Sequence, residues 1–92
     1  MILDILTPEA QIFHGPVDFV TMPGLEGEFQ VLNGHAAIIS ALKAGTLRFK
    51  ASQEISGNEY LTQDGKDSNI YHYSINGGVA EMLGEKVVVL AE

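Results

Sequence analysis

The chain has 92 residues, 46% of them hydrophobic, with no cysteine and a net charge of −7. That length suits one core and no second domain, since domains commonly run from about 50 to 200 residues, and the missing cysteines exclude a disulfide framework and thiolate-bound metal. Twelve acidic residues against five basic ones repel phosphate backbones and anionic headgroups, which argues against nucleic-acid and lipid binding.

No apolar run approaches the roughly 18 residues of a membrane span, and Met1-Ile2-Leu3-Asp4 lacks the basic start of a secretory signal, so a cytosolic location is expected. A chain this small buries only about 60–65% of the surface it exposes when unfolded, which favours a subunit braced by a partner over a solitary enzyme.

Ile2 to Leu6 reads as a short strand stopped by Thr7-Pro8, where proline cannot donate to a ladder. Gln11-Ile12-Phe13 begins a second run, broken at Gly15-Pro16. Val17 to Met22 resumes it with Val17 and Phe19 on one face and Asp18 and Val20 on the other, the mark of a bent or bulged strand. Pro23-Gly24 is then a strong turn signal, because proline presets φ and glycine accepts positive φ, and Gly27 repeats the permissive geometry. Glu28 to Leu32 alternates as a half-buried strand and closes on a second turn at Asn33-Gly34, leaving Glu28 and His35 at its two ends.

Ala36 to Leu42 fits a short helix or a buried connection, and seven residues do not separate the two by periodicity. Thr46 to Lys50 is the cleanest strand, with Leu47 and Phe49 facing in and Arg48 and Lys50 facing out. From Ala51 to Asn69 the chain is polar, and the turn dipeptides Gly57-Asn58 and Asp64-Gly65 predict exposed hairpins. Ile70 to Ile75 returns to strand, Asn76-Gly77-Gly78 permits a bulge or tight bend, and Val79 to Leu83 leads through a hairpin at Gly84-Glu85 into Lys86 to Leu90. Short strands with turns every 8–12 residues or so predict an all-β sandwich or barrel.

Candidate chemistry is sparse. His14, His35 and His72 fall on separate elements without an HxH or HExxH spacing, so no metal is expected. No GxSxG or equivalent places a serine on a strained turn, and Glu26 with Glu28 reads as a solvated loop face in preference to a glycosidase pair. Gly24 to Gly27 lacks a following helix and carries acids where a phosphate would sit, so it is not a nucleotide cradle. No catalytic residue and no cofactor is predicted. By themselves the residues fit a generic β-sandwich interaction module in some multisubunit assembly; a small acidic hydrolase has no support.

Several short words in one order point further: Thr7-Pro8-Glu9, Phe13-His14-Gly15-Pro16-Val17, Pro23-Gly24 with Glu26-Gly27-Glu28-Phe29, Gly34-His35-Ala36, Leu42-Lys43-Ala44-Gly45, Gly77-Gly78 and Val87-Val88-Val89-Leu90-Ala91. By these the chain resembles the epsilon subunits of F-type ATP synthases, in their amino-terminal domain, over nearly its whole length. Asn33, where proline usually precedes Gly-His, and the long polar stretch from Ala51 to Asn69 are the departures.

The resemblance implies an all-β, two-sheet β-sandwich spanning residues 1–92. It also implies a non-catalytic rotor subunit, clamped between the gamma subunit and the c-ring, at the cytoplasmic face of the plasma membrane. In such subunits the matching loops face the polar, basic loops of the c-ring. That makes Glu28 and His35 the expected c-ring contacts, with Glu26 and Phe29 as weaker candidates, Phe29 also suiting the core. Many members continue past the last strand into a regulatory two-helix hairpin; the sequence here ends at Leu90-Ala91-Glu92, so that regulation is expected to be lacking.

Overall fold

A computed structural model describes all 92 residues and contains seven strands and no helix. They are β1 (Ile2–Leu6), β2 (Gln11–Gly24), β3 (Gly27–Leu32), β4 (Ile38–Ala51), β5 (Thr62–Gln63), β6 (Ile70–Leu83) and β7 (Lys86–Ala91). The all-β expectation holds.

Hydrogen bonding runs in the order β1, β7, β6, β4, β2, β3, and a further pairing of β1 with β2 closes the ring, leaving β3 and β5 as flaps. The sandwich and the closed ring are one object, because β2, β4 and β6, each 14 residues long, belong to both layers. One layer holds β3, the second half of β2, the second half of β4, the first half of β6, and β5. The other holds the first half of β2, β1, β7, the second half of β6 and the first half of β4. All pairings are antiparallel except β1 with β7.

Each long strand changes which of its faces points inward where it crosses between layers. In β4, Leu42 is buried before the crossing and Leu47, Phe49 and Ala51 after it, and Ala44 between them has no partner in the ladder to β6. In β6 the buried set passes from Tyr71 and Ile75 to Ala80 and Met82 across Asn76-Gly77-Gly78, the bend expected there. A Cβ on Gly78 would lie 2.2 Å from the Leu90 carbonyl oxygen on β7, at φ +157°, so only glycine lets these strands approach. In β2 the register shifts between Val17 and Phe19. Val17 and Val20 are therefore both buried while Phe19 turns outward, and the alternation expected from Val17 to Val20 slips by one.

The core is a cluster of 19 buried residues. Phe49, fully buried, packs between Phe13, tilted against it, and Tyr71, stacked on it, at centroid distances of 4.7 and 6.0 Å. Since Phe13 comes from one layer and the other two rings from the second, this aromatic group joins the layers.

Two local expectations are corrected. Ala36 to Leu42 forms neither helix nor buried connection: β4 begins at Ile38, and its ladder to Met82 through Gly77 supplies the hydrogen bonds a helix would have made internally. Pro23-Gly24 does not form the turn; both lie in β2, and Leu25-Glu26 make a two-residue hairpin between Gly24 and Gly27. Proline is accommodated because its missing N–H falls where the β2–β4 ladder is interrupted, between Thr21 and Gly24.

In the polar stretch from Ala51 to Asn69, Ala51 ends β4, and the rest carries only β5 and is otherwise loop. It is nevertheless pinned. Ile55 donates its N–H to the Tyr71 hydroxyl and accepts from it, both at 3.2 Å, and the Asn58 amide donates to the Ile12 carbonyl at 2.7 Å. Asp64 accepts from the backbone N–H of Lys66 and Asp67 and pairs with His72 Nε2 at 2.9 Å. The His72 contact first, then the two backbone donors, hold the Asp64 carboxyl at about 2, below its ordinary 3.8.

Candidate functional site

The β2–β3 hairpin positions most of the predicted site. Its two-residue turn projects Leu25 and Glu26, and Gly27 at φ +137° returns the chain into β3. The tip is tied to β4 by the Leu25 N–H donating to the Ala41 carbonyl at 3.3 Å. Gly24 is required below it, since a Cβ there would meet the Gly27 carbonyl oxygen at 2.8 Å and the Phe29 ring at 3.0 Å.

Residues 24–29 and 39–41 line an open concavity of about 550 Å³. Glu26, Glu28 and Phe29 are brought together here. Glu26 and Glu28 are exposed and take part in none of the molecule's ion pairs. Phe29 is half-buried, pairs with Met22 and packs against the core, so its ring braces the hairpin. On the other side of Glu28 a second shallow surface is shared with Thr21, Gln30 and Arg48, whose guanidinium lies 5.4 Å from the centre of the Phe19 ring.

His35 does not line this concavity. It is exposed on the connection from β3 to β4, where its N–H donates to the Leu32 carbonyl at 3.2 Å and its Nδ1 lies 2.8 Å from the Ala36 carbonyl. That connection delivers Ile39, Ser40 and Ala41 to the concavity, so His35 is linked to the acidic hairpin through β4 and not through its own side chain.

Sequence reasoning missed Leu25 and Ile39. They are 63% and 76% exposed, yet both line the concavity. The sequence carries no separate signal for either, because the two-residue turn at Leu25 and the strand at Ile39 are set by the ladders of β2 with β3 and of β4 with β6.

A second charged group lies at the closure of the ring. Asp4 alternates with the core residues Leu3 and Ile5, yet it is only 5% exposed. Its carboxylate pairs with His14 Nδ1 on β2 and with Lys86 Nζ on β7, the latter at 3.2 Å. Burial opposes its ionisation, but His14 and Lys86 together outweigh that penalty and hold the carboxyl below its ordinary value. The three histidines thus have three separate partners: Asp4, the Ala36 carbonyl and Asp64.

A ring-closed pair of layers with an unpaired acidic hairpin at its rim defines an all-β sandwich domain with a surface site. The chain belongs to the family of ATP synthase delta/epsilon chain β-sandwich domains, whose model matches residues 1–92. It is 42% identical over 92 residues to an ATP synthase epsilon chain from Desulfatibacillum aliphaticivorans, of which it covers 55%. It is 38% identical over 90 residues to an ATP synthase epsilon chain from Chlorobium limicola, of which it covers 86%. The chain thus spans little more than half the length of the first of these relatives.

Two solved structures share the fold. A chain of the Euglena gracilis mitochondrial ATP synthase superposes with a TM-score of 0.77 at 24% identity, over 99% of this chain and 49% of that one. A chain of the Tetrahymena thermophila enzyme gives 0.71 at 16% identity, over 98% and 61%. Family membership sets aside the generic interaction module as the reading of this sandwich.

Proposed function

We propose that this chain is a non-catalytic central-stalk subunit of an F-type ATP synthase, coupling rotation of the c-ring to the gamma subunit. It works at the cytoplasmic face of the plasma membrane as a peripheral part of the complex. The observation that carries this reading is a pair of carboxylates without ion-pair partners on a braced hairpin, in a chain matched end to end by the epsilon-type domain. The relatives' name, ATP synthase epsilon chain, supports the same assignment. So do the structural neighbours, which come from assemblies described as central stalk with c-ring and as F1 with c-ring.

The chain's own work in this reading is mechanical. Glu28 leads the contact, accepting charge-assisted hydrogen bonds from basic side chains on the ring's polar loops, with Glu26 beside it. Phe29 acts from beneath by holding the hairpin's angle, and His35 offers a donor and acceptor on the neighbouring connection. A closed, densely packed body transmits displacement with little internal give, and ATP is made elsewhere in the complex.

The test is co-purification followed by charge reversal. Tagged protein brings down gamma and the ring from solubilised membranes, and Glu28→Lys lowers ring retention by roughly tenfold while thermal unfolding of the domain is unchanged, because the reversed charge sets like charges against each other at a complementary contact. Recovery of neither gamma nor ring with the wild-type chain overturns the assignment. Normal ring retention by Glu28→Lys removes Glu28 from the contact.

A further inference from the structure

Leu25 and Ile39 are large apolar side chains that the fold leaves mostly exposed. Both line the concavity that carries Glu26 and Glu28, and no lysine or arginine is among its lining residues. The Leu25 N–H bond to the Ala41 carbonyl holds the hairpin tip against β4, so the two belong to one fixed surface. The surface thus carries exposed apolar and anionic side chains together.

The two components contribute differently to binding. Exposed carboxylates steer a cationic partner and set its orientation, but exposed ion pairs give little net affinity. Affinity concentrates in a few apolar side chains that become fully desolvated at the centre of a contact, ringed by polar groups that exclude water. Leu25 and Ile39 share one surface with Glu26 and Glu28, so both components are present before any partner arrives.

We propose that Leu25 and Ile39 are the apolar anchors of this docking surface, and that its occupant is a short partner loop presenting an apolar side chain next to a lysine or arginine. Resting on the rotor assignment above, this names the chemistry of the ring loop that docks there. A second copy of the same chain does not fit, because its own surface is acidic and its net charge is −7, so two such surfaces repel.

The experiment uses the assembled complex in membrane vesicles. Release of the chain from the ring is measured over a NaCl series for the wild type, for Leu25→Ser with Ile39→Ser, and for Glu26→Gln with Glu28→Gln. The serine pair, at exposed positions, leaves the unfolding midpoint in place and releases from the ring roughly tenfold faster at every salt concentration, as the loss of buried anchors requires. The glutamine pair loses less and flattens the salt dependence. A conservative control, Leu25→Met with Ile39→Val, holds close to wild type.

Serine variants that stay on the ring as firmly as the wild type overturn the proposal. So does a wild-type dimer in sedimentation that the serine pair abolishes, since the occupant is then a second copy. If the wild-type chain brings down neither gamma nor ring, the rotor assignment has failed and the anchors fall with it; if it brings them down and only the serine variants behave as wild type, the assignment stands and the anchors alone are rejected.

Discussion

Asp4 stands between a histidine and a lysine from two different strands, and its carboxylate is almost sealed from water. With a folded-state value below the ordinary 3.8, its stabilisation is fully present above pH 3.8 and is lost as pH falls through the lower folded value. Asp4→Asn is therefore expected to cost about 1.5–3 kcal/mol at neutral pH, the range for hydrogen bonds to charged groups. Urea unfolding of wild type and variant at pH 7 and again near pH 3 checks this, and the gap must narrow at the acid end. Nothing in Ile2-Leu3-Asp4-Ile5-Leu6 announces this role, because His14 and Lys86 reach Asp4 only once the ring has closed. Glu26 and Glu28 are legible as exposed acids on a glycine-rich hairpin, whereas the exposure of Leu25 and Ile39 depends on which face the neighbouring strands leave uncovered.

Strand existence follows closely from local chemistry, while strand boundaries and facing depend on ladders that local chemistry does not contain. Thr46 to Lys50 presents Leu47 and Phe49 inward as its alternation requires. Gly84-Glu85 makes the tight hairpin, with Leu83 opposite Lys86. Pro23 misleads because a turn signal and a gap in a ladder satisfy proline equally well, and only the position of β4 decides between them. Ile38 to Leu42 misleads because its hydrogen-bond partners lie about 40 residues away, at Gly78 to Met82. At Gly78 the sequence does carry the answer, since paired glycines mark a close backbone approach. Gly78→Ala places a methyl group 2.2 Å from a backbone oxygen of β7 that cannot move without breaking the β6–β7 ladder. The expected loss is about 2–4 kcal/mol, combining backbone strain with the clash, and amide exchange of Val87 to Leu90 should accelerate more than that of β3.

At the scale of the whole molecule, the two layers are joined by the rings of Phe13, Phe49 and Tyr71 at the centre and by three strands that pass from one layer to the other. Phe49→Ala empties the middle of that cluster and is expected to cost about 3–5 kcal/mol, as for other large-to-small core changes. For so small a domain that is a large share of total stability, so chemical denaturation of the variant should start from a partly unfolded baseline at 37 °C. The all-β class is legible from the rhythm of strands and turns, which leaves sandwich and barrel both open, while the two-sheet sandwich rests on the family resemblance. The sharing of β2, β4 and β6 between layers is not legible, since their bends read equally well as breaks between shorter strands. That sharing determines how the molecule carries load. In a sandwich whose layers meet only through side chains, shear is resisted by contacts that slip one after another. Here a shearing force puts three covalent backbones in tension together, so the domain deforms little until it ruptures as a single unit.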